Sequence, residues 1–245
     1  MNKLWIIAKK DIGEAFRSRS VYVFMLVMVF LTFSYVTSYK AGVDRYSDIT
    51  SIKTFSVNFL DSLAYTLPIM YSIFVCSVFA NYSVIVDKAK RNMESLLATP
   101  ISVRQLWLGK ALAVSLPSIA IGLGVSVIDY LIMNFGFVVP RAGSFIFPGV
   151  LSIVSAIIIA PLLVFAVVMV VTCIQLMVAN PRIANLVFTG IFILLVFGIN
   201  LLGGFGISVN FFPLVYLGVI LVCALICYIM SGFLTKEKVL LSSKG

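Results

Sequence analysis

The chain is organised as long apolar stretches separated by short polar segments. Uninterrupted runs of about 18 or more apolar residues recur along its 245 residues, and one such run is long enough for a single helical crossing of a bilayer. The approximate bounds of the predicted spans are 21–38, 60–86, 111–134, 149–179, 183–202 and 214–234. The pattern therefore predicts an all-α polytopic membrane protein with six transmembrane helices in a single domain, 1–245.

Residues 3–19 alternate polarity with a helical period and are too polar to form a span. One side of the predicted helix carries Leu4, Trp5, Ala8, Ile12, Ala15 and Phe16, and the other side carries Lys10, Glu14 and Arg17. This pattern predicts an amphipathic helix that lies in the membrane interface, with Trp5 and Trp107 as interfacial anchors. The alternative is a plain positively charged flank of the first span.

The connections between the spans differ in character. Residues 39–58 carry five charged side chains and are expected to form a polar loop, and 135–148 are expected to form a Gly/Pro-bearing connection. The fourth apolar segment is longer than one straight crossing requires and contains Pro161, which predicts a kink or a strong tilt. Four glycine and proline residues within 203–213 predict a short irregular return near the membrane surface.

Composition sets the orientation and excludes several function classes. Hydrophobic residues make up 62% of the chain and charged residues 11%, with a net charge of +9. No segment is long enough to build a soluble basic face, so a nucleic-acid partner is not expected. With the N-terminus inside, 14 of the 18 basic residues fall on the inner side. The positive-inside rule then predicts a multi-pass protein of the cell membrane with both termini in the cytoplasm.

Catalytic and metal chemistry is not expected on this chain. The sequence has no His, and its four cysteines fall inside predicted spans without a CxxC pair, which indicates small packing residues. No GxxxxGK[ST] phosphate loop occurs either. We therefore predict a protein that is not an enzyme and that has no catalytic, cofactor or metal site.

The longest charge-bearing interruption runs from Asp87 to Lys110, between the second and third predicted spans. Its first part reads as a short amphipathic helix that ends at Pro100. Ser102 then offers an N-cap with Gln105 in capping-box position, so the next helix is expected to begin there. A helix as short as the first one is not stable alone in water, which indicates that it docks on another surface.

Three pieces of this stretch carry a family resemblance: Asp87-Lys88, then Glu94-Ser95-Leu96-Leu97-Ala98-Thr99-Pro100-Ile101-Ser102, and finally Leu108-Gly109-Lys110. Together with the six spans, they resemble the ABC-type-2 permeases, the membrane subunits of one class of ATP-binding-cassette exporters. The chain departs from the family's pattern at Ala89 and at Arg91-Asn92.

The resemblance implies that this stretch contains a coupling helix that docks on a separate cytoplasmic ABC ATPase subunit. Its residues would be Glu94, Ser95, Leu96, Leu97, Ala98, Thr99 and Pro100. The working unit would be two permeases, identical or different, with two ATPases, and ATP and Mg would bind the ATPase subunits. The implied function is export of a substrate across the lipid bilayer with ATP hydrolysed by the partner.

Two other functions stay open at this stage, an ion-coupled secondary carrier and a non-transporting membrane anchor of an ATPase. Asp129 bears on the first, because an acid well inside a span is costly and is a candidate functional site. It lies near a face with Ser118, Gly122 and Ser126, where another helix can approach closely. Either a role in cation or substrate passage or a structural hydrogen bond would account for it.

Overall fold

The computed structural model describes residues 3–89, 101–178, 190, 211–235, 237 and 239, and the described residues form helices joined by short turns. This confirms the predicted all-α class for that part of the chain. Six long helices carry the fold: α1 Lys3–Phe16, α2 Arg19–Val43, α3 Ile49–Ala80, α4 Val103–Met133, α5 Ala160–Met177 and α6 Phe212–Phe233.

Five helical segments among the described residues are long and apolar enough to cross a membrane. Their bounds are Val21–Val43, Ile49–Val84, Val103–Ala142, Val150–Met177 and Phe212–Phe233. They correspond to five of the six predicted spans, which indicates a multi-pass membrane protein. The sixth predicted span, 183–202, and the predicted irregular return at 203–213 lie outside the described residues except for residue 190 and residues 211–213.

The core is built around α3 and α4, which pack closely along their length. A side chain on Gly122 of α4 would place its Cβ 2.6 Å from the backbone nitrogen of Ser72 in α3. Glycine is therefore what permits the two backbones to approach at this level. The flanking helices α2 and α6 are far less enclosed than α3. Of the most apolar 18 residues in each span, 11% are buried in α2 and 17% in α6, against 72% in α3.

The predicted polar loop at 39–58 is wrong, because both of its ends are helical. Helix α2 continues to Val43 and α3 begins at Ile49, which leaves only a short turn between them. The Tyr39 hydroxyl donates to Ser56 Oγ at 2.7 Å, and its ring lies 5.2 Å from that of Phe59. Such aromatic contacts hold the two helices together beyond the predicted span ends, while the charged residues occupy the exposed side.

Pro161 is preceded by a π-helical segment, Ser155–Ile159, in which the Ala160 N–H bonds to the Ser155 carbonyl. A proline inside a helix removes one hydrogen bond and crowds the carbonyl four residues earlier, and a wider turn relieves that crowding. A π-helical turn thus precedes the proline, while the predicted kink or strong tilt of this segment stays a prediction. The predicted connection at 135–148 is also wrong in its first half, since helical structure continues to Ala142.

Candidate functional site

The predicted coupling residues Glu94, Ser95, Leu96, Leu97, Ala98, Thr99 and Pro100 lie outside the described residues. The structure describes the two ends of the stretch that contains them. At the downstream end, Ser102 Oγ accepts from the Gln105 N–H at 3.2 Å, and the Gln105 side chain accepts from the Ser102 N–H at 3.1 Å. The predicted capping box is thus confirmed, and it fixes the point at which α4 begins.

A buried ion cluster joins the two ends of this stretch, and we call it the Lys110 clamp: Lys110, Asp87, Asp11 and Ser83. Lys110 Nζ lies 2.7 Å from Asp87 Oδ2 and 3.0 Å from Asp11 Oδ2, and it also donates to the Ser83 carbonyl. These three partners use all three N–H groups of the ammonium. Lys110 is completely buried, and both carboxylates are at most 5% exposed.

Local backbone geometry supplies one of these partners. Helix α3 passes at Ala80 into a π-helical segment, Asn81–Val86. In an α-helix the Asp87 N–H would bond to the Ser83 carbonyl, but here it bonds to Val84 instead. The Ser83 carbonyl is then available to Lys110. A π-helical turn inside a long helix is frequently found at a functional position, and here it helps to complete the clamp.

The N-terminal helix enters the clamp through Asp11, which the sequence analysis did not select. Asp11 Oδ2 accepts from Lys110 and also from the Ser83 hydroxyl, at 2.7 Å. Along α1, Ile7, Ala8 and Ala15 are buried on the same side. Ala8 and Ala15 are buried as their predicted side requires, but Asp11, which was assigned to neither side, is buried with them. The interfacial position of the helix and of Trp5 stays a prediction. Asp11 lies four residues from Ile7 and Ala15 and three from Ala8, so the helical spacing could have placed it on the same side as these three residues.

Lys88 forms a second anchor beside the clamp. Its Nζ donates to the carbonyls of Leu176 at 3.1 Å and Val178 at 2.9 Å, at the C-terminal end of α5. A cation at this end of a helix satisfies terminal carbonyls and interacts favourably with the helix dipole. Burial lowers the pKa of the Lys88 ammonium to about 8, because the charged form is partly removed from water.

Trp107, near the downstream end of the Asp87–Lys110 stretch, also bonds to α5. Its indole Nε1 donates to the Met169 carbonyl at 3.0 Å and to Thr172 Oγ1 at 3.2 Å. The side chain is only 5% exposed. The prediction that Trp107 is an interfacial anchor is therefore wrong. A buried indole requires a hydrogen-bond acceptor, and α5 provides two.

An apolar shell surrounds both anchors and is separate from the main core. It brings together residues of α1, the π-helical segment, α4, α5 and the segment that follows α6: Ile7, Val84, Val103, Leu106, Trp107, Cys173, Leu176, Leu234 and Val239. Five parts of the described chain therefore meet where the Asp87–Lys110 stretch leaves and re-enters the bundle. This arrangement can hold the two ends of the stretch in a fixed relation.

Asp129, the predicted intramembrane acid, lies on the same helix as Lys110 but at a different level. The two residues are 19 positions apart, which is about 28 Å along α4. Asp129 is completely buried, and its Oδ2 accepts from the Tyr71 hydroxyl at 2.5 Å. The structure therefore brings Asp11, Asp87 and Lys110 together and places Asp129 in a second, independent polar site.

Comparison with known proteins gives no independent assignment. No protein-family model matches the chain, and no curated protein matches it. The functional conclusion therefore depends on the motif resemblance of the Asp87–Lys110 stretch and on the geometry of the residues that hold its ends.

Proposed function

We propose that this chain is the membrane permease subunit of an ATP-binding-cassette exporter. In this proposal, residues 94–100 form a coupling helix that docks on a cytoplasmic ATPase subunit, and two permeases assemble with two ATPases. ATP and Mg bind the ATPases. The membrane helices provide the path for the exported substrate.

The Lys110 clamp is the observation that supports this function best. A segment that receives force from a partner moves the membrane helices only if its ends are firmly joined to them. Here Asp87 and Lys110 form a direct buried ion pair across the base of the segment. Asp11 adds α1 to the same ion cluster, while Lys88 and Trp107 attach the segment to α5.

The mechanism follows from these connections. A displacement of residues 94–100 by the ATPase would reach α3 through Asp87 and α4 through Lys110. The α3–α4 pair would then move as one body, because the two helices are tightly packed at Gly122. Such a movement would alternate the access of a path that the membrane helices line, at the interface of the two permeases.

Replacement of Leu96 and Leu97 by Asp tests the docking role. The variant should lose co-purification with the ATPase and ATP-dependent transport, since two carboxylates would face an apolar docking surface. The matched control is Thr50→Asp with Thr54→Asp, which adds the same charge at two exposed positions near the start of α3. The control should retain both properties.

Folding is checked separately from coupling. Both variants should show the same thermal unfolding midpoint as the parent protein when each permease is purified alone. If Leu96→Asp with Leu97→Asp keeps its ATPase and transports at the parent rate, the proposed coupling helix is wrong.

A further inference from the structure

The polar site around Asp129 lies inside a candidate membrane span and joins three helices. Tyr71 of α3 donates to Asp129 Oδ2 at 2.5 Å, and the Tyr71 hydroxyl lies 3.4 Å from Thr32 Oγ1 of α2. Tyr35, one turn along α2, donates to Met70 Sδ at 3.2 Å. The site therefore forms part of the contact by which the weakly enclosed α2 is held to the core.

The hydrogen bonds of Asp129 are incomplete for an ionised group. Its Oδ1 is buried and has no hydrogen-bond partner, and no ion pair among the described residues includes Asp129. A carboxylate has about four lone-pair positions to satisfy, and burial of the charge with an unpartnered oxygen and no cation beside it is very costly. A neutral carboxylic acid needs far less, because its charge has been removed by a proton.

We propose that Asp129 is a proton-binding site that holds its proton at neutral pH. The proton resides on the buried Oδ1, while Oδ2 accepts from Tyr71. The ligand is a proton rather than a metal cation, because the described side-chain oxygens beside Asp129 are the hydroxyls of Tyr71, Thr32 and Tyr35, with no second carboxylate among them. The inference is independent of the proposed export function, since it concerns one carboxyl group and its neighbours.

The titratable groups nearest to Asp129 are uncharged tyrosines, which favours the neutral form of the acid. The titratable groups nearest to it are Tyr71 on α3 and Tyr35 on α2, and Tyr35 is within electrostatic range of Asp129. Tyr130 follows Asp129 on α4. All three are neutral hydroxyls at pH 7, so none of them supplies the positive charge that an ionised Asp129 would need.

Infrared spectroscopy of the full-length protein in lipid vesicles at pH 7 tests the proposal. The spectrum of the parent protein minus that of Asp129→Asn should contain the C=O stretch of a protonated carboxylic acid, which is well resolved from carboxylate bands. Asp61→Asn is the matched control, because Asp61 Oδ1 already accepts from the Gly149 N–H at 2.6 Å and from Ser152 Oγ at 2.9 Å. Its difference spectrum should lack the acid band that is assigned to Asp129.

Tyr71→Phe provides a second measurement that does not require Asp129→Asn to fold. Removal of the Tyr71 hydroxyl should move the acid band to higher wavenumber, because the C=O group loses its donor, and the band should keep its intensity. The proposal is overturned if the Asp129→Asn difference spectrum contains only carboxylate bands. It is equally overturned if Tyr71→Phe leaves the acid band of the protein unmoved.

Discussion

Helix α4 carries two buried polar sites that handle charge in opposite ways. At the Lys110 clamp, one ammonium faces two carboxylates and a carbonyl, and each of its N–H groups has a partner. At Asp129, Oδ2 of the carboxyl group accepts from Tyr71, and the buried Oδ1 has no partner. Both sites are closed to water, so burial alone does not distinguish them.

The difference shows that a buried group keeps its charge only when enough opposite charges and hydrogen-bond partners surround it. Ionised groups can remain in a protein interior when opposite charges and hydrogen bonds compensate the loss of water. Where those partners are missing, the group is neutralised instead. The clamp then joins helices by charge, whereas the Asp129 site joins them by hydrogen bonds between uncharged groups.

Lys110→Met should have the largest effect on this comparison. It leaves Asp11 and Asp87 buried without their cation, and breaking a buried ion pair in this way costs about 3–5 kcal/mol. Thermal or denaturant unfolding of the purified protein measures the loss. Arg104→Met is the control, because it removes the same charge from an exposed position on the same helix. Equal stability of the two variants would show that the clamp contributes little.

Gly122→Ala should have an intermediate effect, because it disturbs the level of Asp129 and leaves the clamp intact. The new Cβ would lie 2.6 Å from the Ser72 nitrogen and 2.8 Å from its Cα, so the backbone beside Tyr71 must shift. Overpacking of this kind costs about 1–3 kcal/mol. Gly124→Ala, with no atom within 4 Å, should instead be neutral or slightly stabilising, by up to about 1 kcal/mol. Unfolding measurements on the two variants decide the matter, and a Gly122→Ala protein as stable as Gly124→Ala would contradict the close approach.

An effect that depends on pH is expected from the protonation of Lys88, which borders the clamp and is only partly buried. Since burial lowers its pKa from 10.5 to about 8, the folded protein releases this proton before the unfolded chain does. The cost of burying the charge is present below pH 8 and disappears as pH rises to 10.5. The stability of the parent protein relative to Lys88→Met should therefore increase over that interval. Parallel unfolding curves at several pH values measure it, and a constant difference would contradict the lowered pKa.

The features that depend on residues adjacent in sequence could be predicted from the sequence. The apolar runs predicted five helices that the structure contains, and Ser102 with Gln105 predicted the start of α4, because a capping box involves only four consecutive residues. The outer ends of the helices were harder to predict. Charged residues such as Lys40 and Asp48 suggested a loop, while the aromatic contacts that keep 39–43 and 49–58 helical arise only when the chain is folded.

The partners within the sites could not be predicted, because they are distant in sequence. Asp11 and Lys110 are 99 residues apart, and nothing local indicates that they form an ion pair. The π-helical turn that makes the Ser83 carbonyl available also lacks a sequence signal. Asp129 was found because an acid inside an apolar run is conspicuous, but its partner Tyr71 resembles any other tyrosine in a span.

The uneven enclosure of the membrane helices bears on how the chain enters a bilayer during synthesis. The first span, Val21–Val43, has a mean hydropathy of 2.0, and only 11% of its most apolar 18 residues are buried in the protein, so lipid can solvate it before the later spans are made. The next span, Ile49–Val84, carries Asp61, and 72% of its most apolar 18 residues are buried. Its main neighbour is α4, which is made later. The first span therefore reaches nearly its final surroundings when it inserts, whereas the second acquires its contacts with α4 only once α4 has been made.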